Sequence, residues 1–562
     1  LAKTEGTPFF MEEVVQTLRE EDVLSADLAI GTRRVGPLPT DLHIPTTVQG
    51  VLAARIDRLT AEEKALLQQL AVIGRQFPLS LVKQVVAQPE TELYRVLSSL
   101  QAKEFLYEQP AFPEIEYLFK HALTQEVAYS TLLQEQRTAL HERTGQAIEG
   151  LYRETQEDHY GELAHHYSQS GNARKAIDYL QRAGQQAVQR SANEDAIGLL
   201  TKGLALLQIL PETVERNQQE LMLQTTLGTA LSVTQGYAAP AVGKTYARAR
   251  ELCQHLGETP QLFPVLWGLW YFYFVRAEFQ SAWEMGQQCL TLAQREDDPT
   301  LLMIAYLALG NTLTLRGELT AGRAHYARGM ALYNPQQHRF LAVQYFQDPK
   351  VTSLAPEALV LWHLGYPDKA VTQIHDALSL AQELAHPFSL AFAQCFAAWV
   401  HQHRREGQAT QEWAEAAITL STEQGFANWL TWGTIVRGWA LVEQGQGEEG
   451  IAQMHQGVVA LQATGAELQR SHFLFLLAEA YGKVGRAEEG LVLLAEALAW
   501  VDKTGERWWE AGLHWLKGEL TLQSQSESPE QRSAEAEACF YKTIDVARKQ
   551  QAKSWELRGP VG

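Results

Sequence analysis

Residues 478–491 read Ala478-Glu479-Ala480-Tyr481-Gly482-Lys483-Val484-Gly485-Arg486-Ala487-Glu488-Glu489-Gly490-Leu491, and the pattern runs on to Leu494 and Ala497. This is a helical hairpin written in one line. Small Ala478 lets two helices approach closely, and Tyr481 fills the space one turn later. Gly485 ends the first helix, because glycine takes the left-handed turn without a Cβ penalty. Gly490, Leu494 and Ala497 then form an i, i+4, i+7 stripe on the second helix.

The same phrase recurs. Ala164, Tyr167, Gly171, Ala176, Leu180 and Ala183 fit it closely, and Gly438, Leu441, Gly445, Gly450, Met454 and Gly457 fit all of it. Leu361, Gly365, Ala370, Ile374 and Ala377 fit its second part. Gly518, Leu522, Ala536, Phe540 and Thr543 fit loosely, with an insertion at Ser524–Ser533. The blocks 217–256, 260–295, 300–334 and 388–424 are degenerate but keep small residues at helical spacing. About ten hairpins at a period near 40 residues are expected over residues 160–555, and the spacing resembles the tetratricopeptide repeat, whose usual period is about 34. Residues 334–352 and 524–533 interrupt the pattern and read as surface loops. Stacked hairpins bury one another's apolar faces and curl into a superhelix with a concave groove. Such grooves hold a peptide, a helix or another domain. Convergent acid–base groups are not expected inside one.

The chain has 562 residues, too many for one ordinary core. A formal charge of −19 argues against a broad nucleic-acid surface. Cys253, Cys289, Cys395 and Cys539 are far apart with no CxxC, so they read as buried thiols of a cytoplasmic protein. No apolar run approaches the roughly 20 residues that span a bilayer, and no signal peptide is seen. A start at Leu1 and an end at Gly-Pro-Val-Gly lead to the expectation of a longer parent protein.

Near the N-terminus, Gly6 or Thr7 can cap a helix that Pro8 opens, with Val14 and Leu18 on its apolar stripe. Residues 25–46 form a loop. Thr47-Val48 starts a helix through Val51, Ile56 and Leu59, and Thr60 with Glu63 makes a capping box for a stripe of Leu66, Leu67, Leu70 and Val72. Helices over 78–87 and 90–100 follow. Then Phe105–Glu108 and Tyr117–Lys120 flank a Pro-bounded turn and read as a β-hairpin. Helices followed by a hairpin make a winged helix. Its recognition segment carries Glu90, Glu92, Arg95, Lys103 and Glu104, which is not a phosphate-binding face.

Other candidate chemistry is thin. Gly243-Lys244-Thr245 ends like a P-loop, but Ala238 stands where the rule needs glycine and no strand precedes it. His165-His166, and likewise His401 and His403, point to different helix faces and read as structural. Paired carboxylates such as Glu12-Glu13, Glu448-Glu449 and Glu488-Glu489 sit at helix starts and complement the dipole. Trp267, Trp270, Tyr271, Phe272 and Tyr273 crowd one helix on both faces, and Trp508-Trp509 form another aromatic cluster. The surplus makes Trp267, Trp270, Tyr271 and Tyr273 candidate partner anchors in the groove.

Gly6–Val14, Thr47–Leu59, Phe105–Leu133 (with Phe119-Lys120-His121-Ala122-Leu123 and Val127-Ala128-Tyr129), Gln261–Trp270 and Arg507–Leu520 together resemble the C-terminal half of bacterial STAND proteins, which are AAA-type signalling ATPases. The resemblance is greatest to those that carry a class III adenylate/guanylate cyclase domain. It implies that residues 1–30 are the end of the ATPase lid, 44–155 a winged-helix-like module with connecting helices, and 160–555 a repeat sensor. Gly6 and Pro8 would then touch ATP or ADP, and an ATPase domain of the parent would be an intramolecular partner. No P-loop, Walker B strand or cyclase residues lie within the chain, so it holds no complete catalytic site and no cofactor is expected for it alone. A core of a maltose-regulator-type transcription activator, or a stand-alone repeat scaffold, would carry the same repeats. The expected fold is all-α: a tetratricopeptide-like superhelix preceded by a small winged-helix region.

Overall fold

The computed structural model describes residues 47–558, apart from 112–113, 258, 339–340, 342–346 and 526–527, together with Glu12 and Val15. Two compact units divide the chain, residues 1–219 and 220–562. The division falls inside the stretch read as repeats.

In the first unit, α1 (Val48–Asp57) begins at Thr47, whose side chain accepts the Gly50 N–H. Helix α2 (Ala61–Ile73) opens with the expected capping box. Thr60 Oγ1 accepts the Glu63 N–H at 3.2 Å, and the Glu63 carboxylate accepts the Thr60 N–H at 2.9 Å. Then come β1 (Gln76–Pro78), α3 (Leu79–Val85), α4 (Glu90–Ala102), β2 (Leu106–Gln109) and β3 (Glu116–Phe119). The expected hairpin is present, and β1 adds a third antiparallel strand in the order β1-β3-β2, with Phe77 opposite Tyr117 and Leu106 opposite Phe119. Sequence reading missed β1, because three residues ending in proline show no alternation. Cations around α4 are held by carboxylates: Arg95 by Glu62 and Glu92, Lys103 by Glu63, Lys120 by Glu12 and Glu104. None of these cations is left for phosphate.

Helices α5 (Ala122–Ser130), α6 (Gln134–Leu151), α7 (Tyr160–Ser170), α8 (Ala173–Gln189) and α9 (Asn193–Leu207) complete this unit. Gly171 takes φ +76° between α7 and α8. Ala164, Tyr167, Ala176, Leu180 and Ala183 are buried in one core with Leu52, Leu66 and Phe119, so the first hairpin shares its core with the sheet region.

Helix α10 (Val214–Gln235) contains the division, and α11 (Pro240–Leu256) follows it. Gly243-Lys244-Thr245 lies within α11, and a Cβ on Gly243 would collide with the Phe272 ring, so this glycine serves helix packing. Seven hairpins follow: α12 (Leu262–Val275) with α13 (Phe279–Glu296), α14 (Pro299–Leu315) with α15 (Leu319–Ala331), and, after the single turn α16 (Pro335–His338), α17 (Val351–His363) with α18 (Pro367–Glu383). The last four are α19 (Pro387–His403) with α20 (Gly407–Gln424), α21 (Ala427–Glu443) with α22 (Gly447–Ala463), α23 (Arg470–Lys483) with α24 (Ala487–Thr504), and α25 (Glu510–Gln523) with α26 (Pro529–Gln550). A short α27 (Lys553–Arg558) closes the series.

The two helices of a hairpin differ. First helices pack on their partners and on one another, forming an inner row. They are buried on nearly every side, and every residue of α17 is buried. Second helices bury one stripe only: on α24 it is Ala487, Gly490, Leu494, Ala497 and Val501. That is the difference expected between a helix apolar all round and an amphipathic one. Gly485 takes φ +78°, as its place in the quoted stretch requires.

Two expected loops end differently. Asp348, Pro349, Val351 and Thr352 are buried: Asp348 accepts the Lys350 and Val351 N–H groups and starts α17 inside the core. Ser528 caps a helix beginning at Pro529, with Gln531 closing a capping box, so the break expected to reach Ser533 is shorter.

Close approach of helices α21 and α22 gives a direct test. A Cβ on Gly438 would lie 2.6 Å from the Gly450 carbonyl oxygen, whereas one on Gly161 would meet nothing within 4 Å. Gly438→Val is expected to cost about 1–3 kcal/mol by overpacking, read as a lower denaturant midpoint. Gly161→Ala is expected to leave the midpoint nearly unchanged. A Gly438→Val midpoint equal to wild type would contradict the packing described.

Candidate functional site

Helix α12 reads Leu-Phe-Pro-Val-Leu-Trp-Gly-Leu-Trp-Tyr-Phe-Tyr-Phe-Val, with no polar face. Of its rings, Trp270 is buried and its indole N–H donates to Thr312 Oγ1 at 2.9 Å. Trp267 and Tyr271 are half-buried; Trp267 lies 4.6 Å from Trp270, and Tyr271 stacks on Tyr237 at 3.9 Å. These three residues stand on the wall of a cavity of about 90 Å³ inside the second unit. Tyr273 does not line it; its ring packs against Phe272 at 5.4 Å. Gly6 and Pro8 lie outside the described residues, and of the lid stretch only Glu12 and Val15 are described.

The remaining wall comes from successive inner helices: Leu307 of α14, Leu359 of α17, Phe392 and Phe396 of α19, Trp429 and Trp432 of α21. Gln469 and Trp508 complete it from the turns before α23 and α25. Sequence reading noted Trp508 with Trp509 as a ring cluster but passed over Phe392, Phe396, Trp429 and Trp432. The i, i+4 spacing of Phe392 and Phe396 and the i, i+3 spacing of Trp429 and Trp432 look like ordinary core. Only their recurrence on first helices marks a shared wall. Among the described residues no Asp, Glu, Lys, Arg or His stands on it. The site can therefore bind, but offers no group to move a proton at neutral pH.

The lumen beyond the cavity is filled by the chain itself. Backbone N–H groups of Arg507 and Trp508 donate to the Leu315 carbonyl at 2.8 and 3.1 Å, and that of Glu467 to the Val275 carbonyl at 2.8 Å. There His363, His403 and His472 come together, with ring centroids 5.8 Å apart between the first two and 5.5 Å between the last two. Trp509 lies 5.2, 4.6 and 4.4 Å from the three rings in that order. Both ring nitrogens of His363 and His472, and Nε2 of His403, have no hydrogen-bond partner among the described residues. Burial holds His363 and His472 down at about 3 and pushes His403 the same way. All three are therefore neutral. His401 faces elsewhere and pairs with Glu406 at 2.5 Å.

In the first unit, His166 Nδ1 lies 2.9 Å from His141 Nδ1, and His141 Nε2 lies 2.9 Å from the Tyr129 hydroxyl. Burial lowers both histidines, to about 3 and about 4. Among the described residues no group of three or more His, Cys, Asp or Glu side chains is placed to hold a metal ion. All four cysteines are free and buried. No helix among the described residues is long and apolar enough to cross a membrane.

The stacked hairpins and inner row define a tetratricopeptide-like helical repeat protein. No family model matches the chain. It is 24% identical over 515 residues, 91% of its length, to an uncharacterized protein of Rhizobium meliloti (strain 1021). The chain spans about half of that curated relative, 49% of its length. Among solved structures, a Rap protein complexed with competence and sporulation factor is similar with TM-score 0.50 and 11% identity, over 66% of this chain and 98% of the other. A STAND protein with a tetratricopeptide repeat sensor from Pyrococcus horikoshii is similar with TM-score 0.45 and 12% identity, over 92% of this chain and 70% of the other.

The buried histidines give the second unit a pH dependence. Unfolded, they titrate near about 6.5; folded, His363 and His472 titrate near 3. Between these values the unfolded chain binds more protons, so stability falls as pH falls. Glu506 acts in the opposite sense: burial lifts its carboxyl to about 7, so there the folded chain takes the proton first. Elsewhere in the unit burial also raises the carboxyls of Asp348, Glu357 and Glu519 and lowers His325, His386 and His514, so six lowered imidazoles stand against four raised carboxyls and the histidine trend dominates. Thermal melts are expected to be flat above about pH 7 and to fall below about 6.5. His472→Phe is expected to remove about one proton from the slope, ~1.4 kcal/mol per pH unit. A profile level from pH 7 to 5 would rule this out.

Proposed function

We propose that this chain is the regulatory, protein-interaction region of an ATP-switched signalling protein of the STAND kind. The observation that carries the reading is the aromatic cavity within the array, walled by Trp267, Trp270 and Tyr271. The lid, hairpin and repeat stretches that resemble STAND proteins support it. A curated relative about twice as long as the chain leaves room for an ATPase and an output domain. The Rap protein that shares the fold is complexed with competence and sporulation factor, and we assign this array a protein or peptide partner. Residues 44–155 serve as the winged-helix module between ATPase lid and sensor, Gly6 and Pro8 contact the nucleotide, and the output is a nucleotide cyclase encoded outside this chain. The protein works in the cytoplasm.

Partner binding can move such a switch only through unequal affinity for its two states. A shift from 1:99 to 99:1 needs a preference of about ten-thousand-fold.

Reading the coding DNA upstream of Leu1 tests the proposal first. A P-loop, a Walker B strand and the paired metal-binding aspartates of a cyclase are expected there. A P-loop without a cyclase removes the cyclase output, and a reading frame that opens within a few residues of Leu1 removes the switch. In the parent protein, Pro8→Gly is expected to weaken ADP binding about tenfold, roughly 1.4 kcal/mol, by calorimetry. An unchanged affinity would take Pro8 out of the nucleotide site.

A further inference from the structure

The lumenal cavity is a feature that stacking hairpins does not require. It measures about 90 Å³ and is partly open, which leaves room for a single ring with its substituent toward the opening. A stretch of peptide backbone does not fit. Its walls carry Trp267, Tyr271, Phe392, Phe396 and Trp432, whose faces and edges suit another aromatic ring. Among the described residues no wall side chain is formally charged, so an ionised ligand would lose its water and gain no counter-charge.

The wall also carries polar groups that a purely apolar cavity would lack. Among them the indole N–H groups of Trp429, Trp432 and Trp508, the Thr314 hydroxyl and the amide oxygen of Gln469 are buried with no hydrogen-bond partner among the described residues. Buried polar groups are normally paired, and unpaired ones collect at sites that take a ligand or water. Gln469 also stands at φ +66°, a left-handed conformation costly for a residue with a Cβ. Its terminal amide torsion is soft, so the amide turns toward an incoming group at little cost.

We propose that this cavity binds one uncharged aromatic ring that carries a hydrogen-bonding group, supplied by a small molecule or by a tyrosine side chain of a bound peptide. The ring lies among the wall aromatics, and its polar group pairs with the Trp429 and Trp432 N–H groups and the Gln469 amide. The inference deepens the reading of the array as a sensor. It rests on the cavity and needs no nucleotide switch.

The test is calorimetry and thermal melting of the intact chain with benzamide, with benzoate and with the capped peptide acetyl-Gly-Tyr-Gly-amide. Benzamide is expected to bind and raise the melting temperature. Benzoate has the same shape with a charge, and is expected to bind at least about tenfold more weakly. Gln469→Leu is expected to weaken benzamide by about three- to tenfold, and Leu307→Trp, which fills the space, to abolish its binding. Leu359→Phe is the second filling variant should Leu307→Trp not fold. Peptide binding that is lost in the filling variants assigns the ring to a side chain; benzamide binding without peptide binding assigns it to a small molecule. Equal affinity for benzamide and benzoate, binding that survives filling, or no binding by either benzamide or peptide overturns the proposal. Failure of nucleotide switching in the parent protein would leave these results untouched, so the two readings fail separately.

Discussion

Burial of the inner helices depends on the return of the last hairpins to the earlier ones. In an open groove the turns after α12, α14 and α17 would present their carbonyls to the lumen. Here the Leu315 carbonyl accepts two backbone N–H groups, from Arg507 and Trp508, and the Trp362 carbonyl accepts the Ser554 hydroxyl. The Gln550 amide reaches the Arg507 carbonyl at 2.7 Å. A buried carbonyl left unpaired costs about as much as a lost hydrogen bond. These links let α17, α19 and α23 be buried on nearly every side. The rings then fill the middle, with Trp509 6.3 Å from Trp362 and 5.3 Å from Trp555.

The same closure explains why histidine is tolerated at three inner positions. A neutral imidazole is flat and small, and fits edge to face between indoles. Its charged form would be isolated among tryptophans, with Arg558 adding to the repulsion at His363. The nearby carboxyl of Glu506 is likewise pushed toward its neutral form, and it accepts hydrogen bonds from the Ser471 hydroxyl and N–H. Where the inner row meets, charge is excluded from both kinds of group. The cavity wall follows the same rule, since among the described residues it includes no Asp, Glu, Lys, Arg or His.

Local rules made much of this fold legible. Glycines at 171, 365, 445 and 485 all take positive φ where the repeat spacing puts them. Thr60 and Glu63 form the capping box that their spacing predicts. What escaped was non-local or too short. Strand β1 is defined by pairing with Glu116–Leu118, far along the chain, and not by its own three residues. Asp348 looks like loop composition until its buried capping role is seen. Ser528 carried a readable signal, Ser-Pro-x-Gln, hidden in a serine-rich run. Of the anchor candidates, density of rings pointed to α12, but which rings face the lumen is set by neighbouring helices. Thus Trp267, Trp270 and Tyr271 line the cavity while Tyr273 packs on Phe272. The pairing of residues such as Leu315 with Arg507 has no period and leaves no trace in the local pattern.

An open solenoid is nearly one-dimensional: each repeat touches its neighbours, and melting or folding can spread from any point. The link between Ser554 and Trp362 joins residues 192 apart. Such links act as a clasp. The entropy of closing a long loop must be met before they form, and contacts of high sequence separation slow folding. Hairpins of the second unit can form early by local contacts, but the inner row gains its full cover only when α25–α27 arrive. The unit therefore behaves as an all-or-none body. A perturbation in its lumen is felt across the ring at once, where an open array would pass it from repeat to repeat.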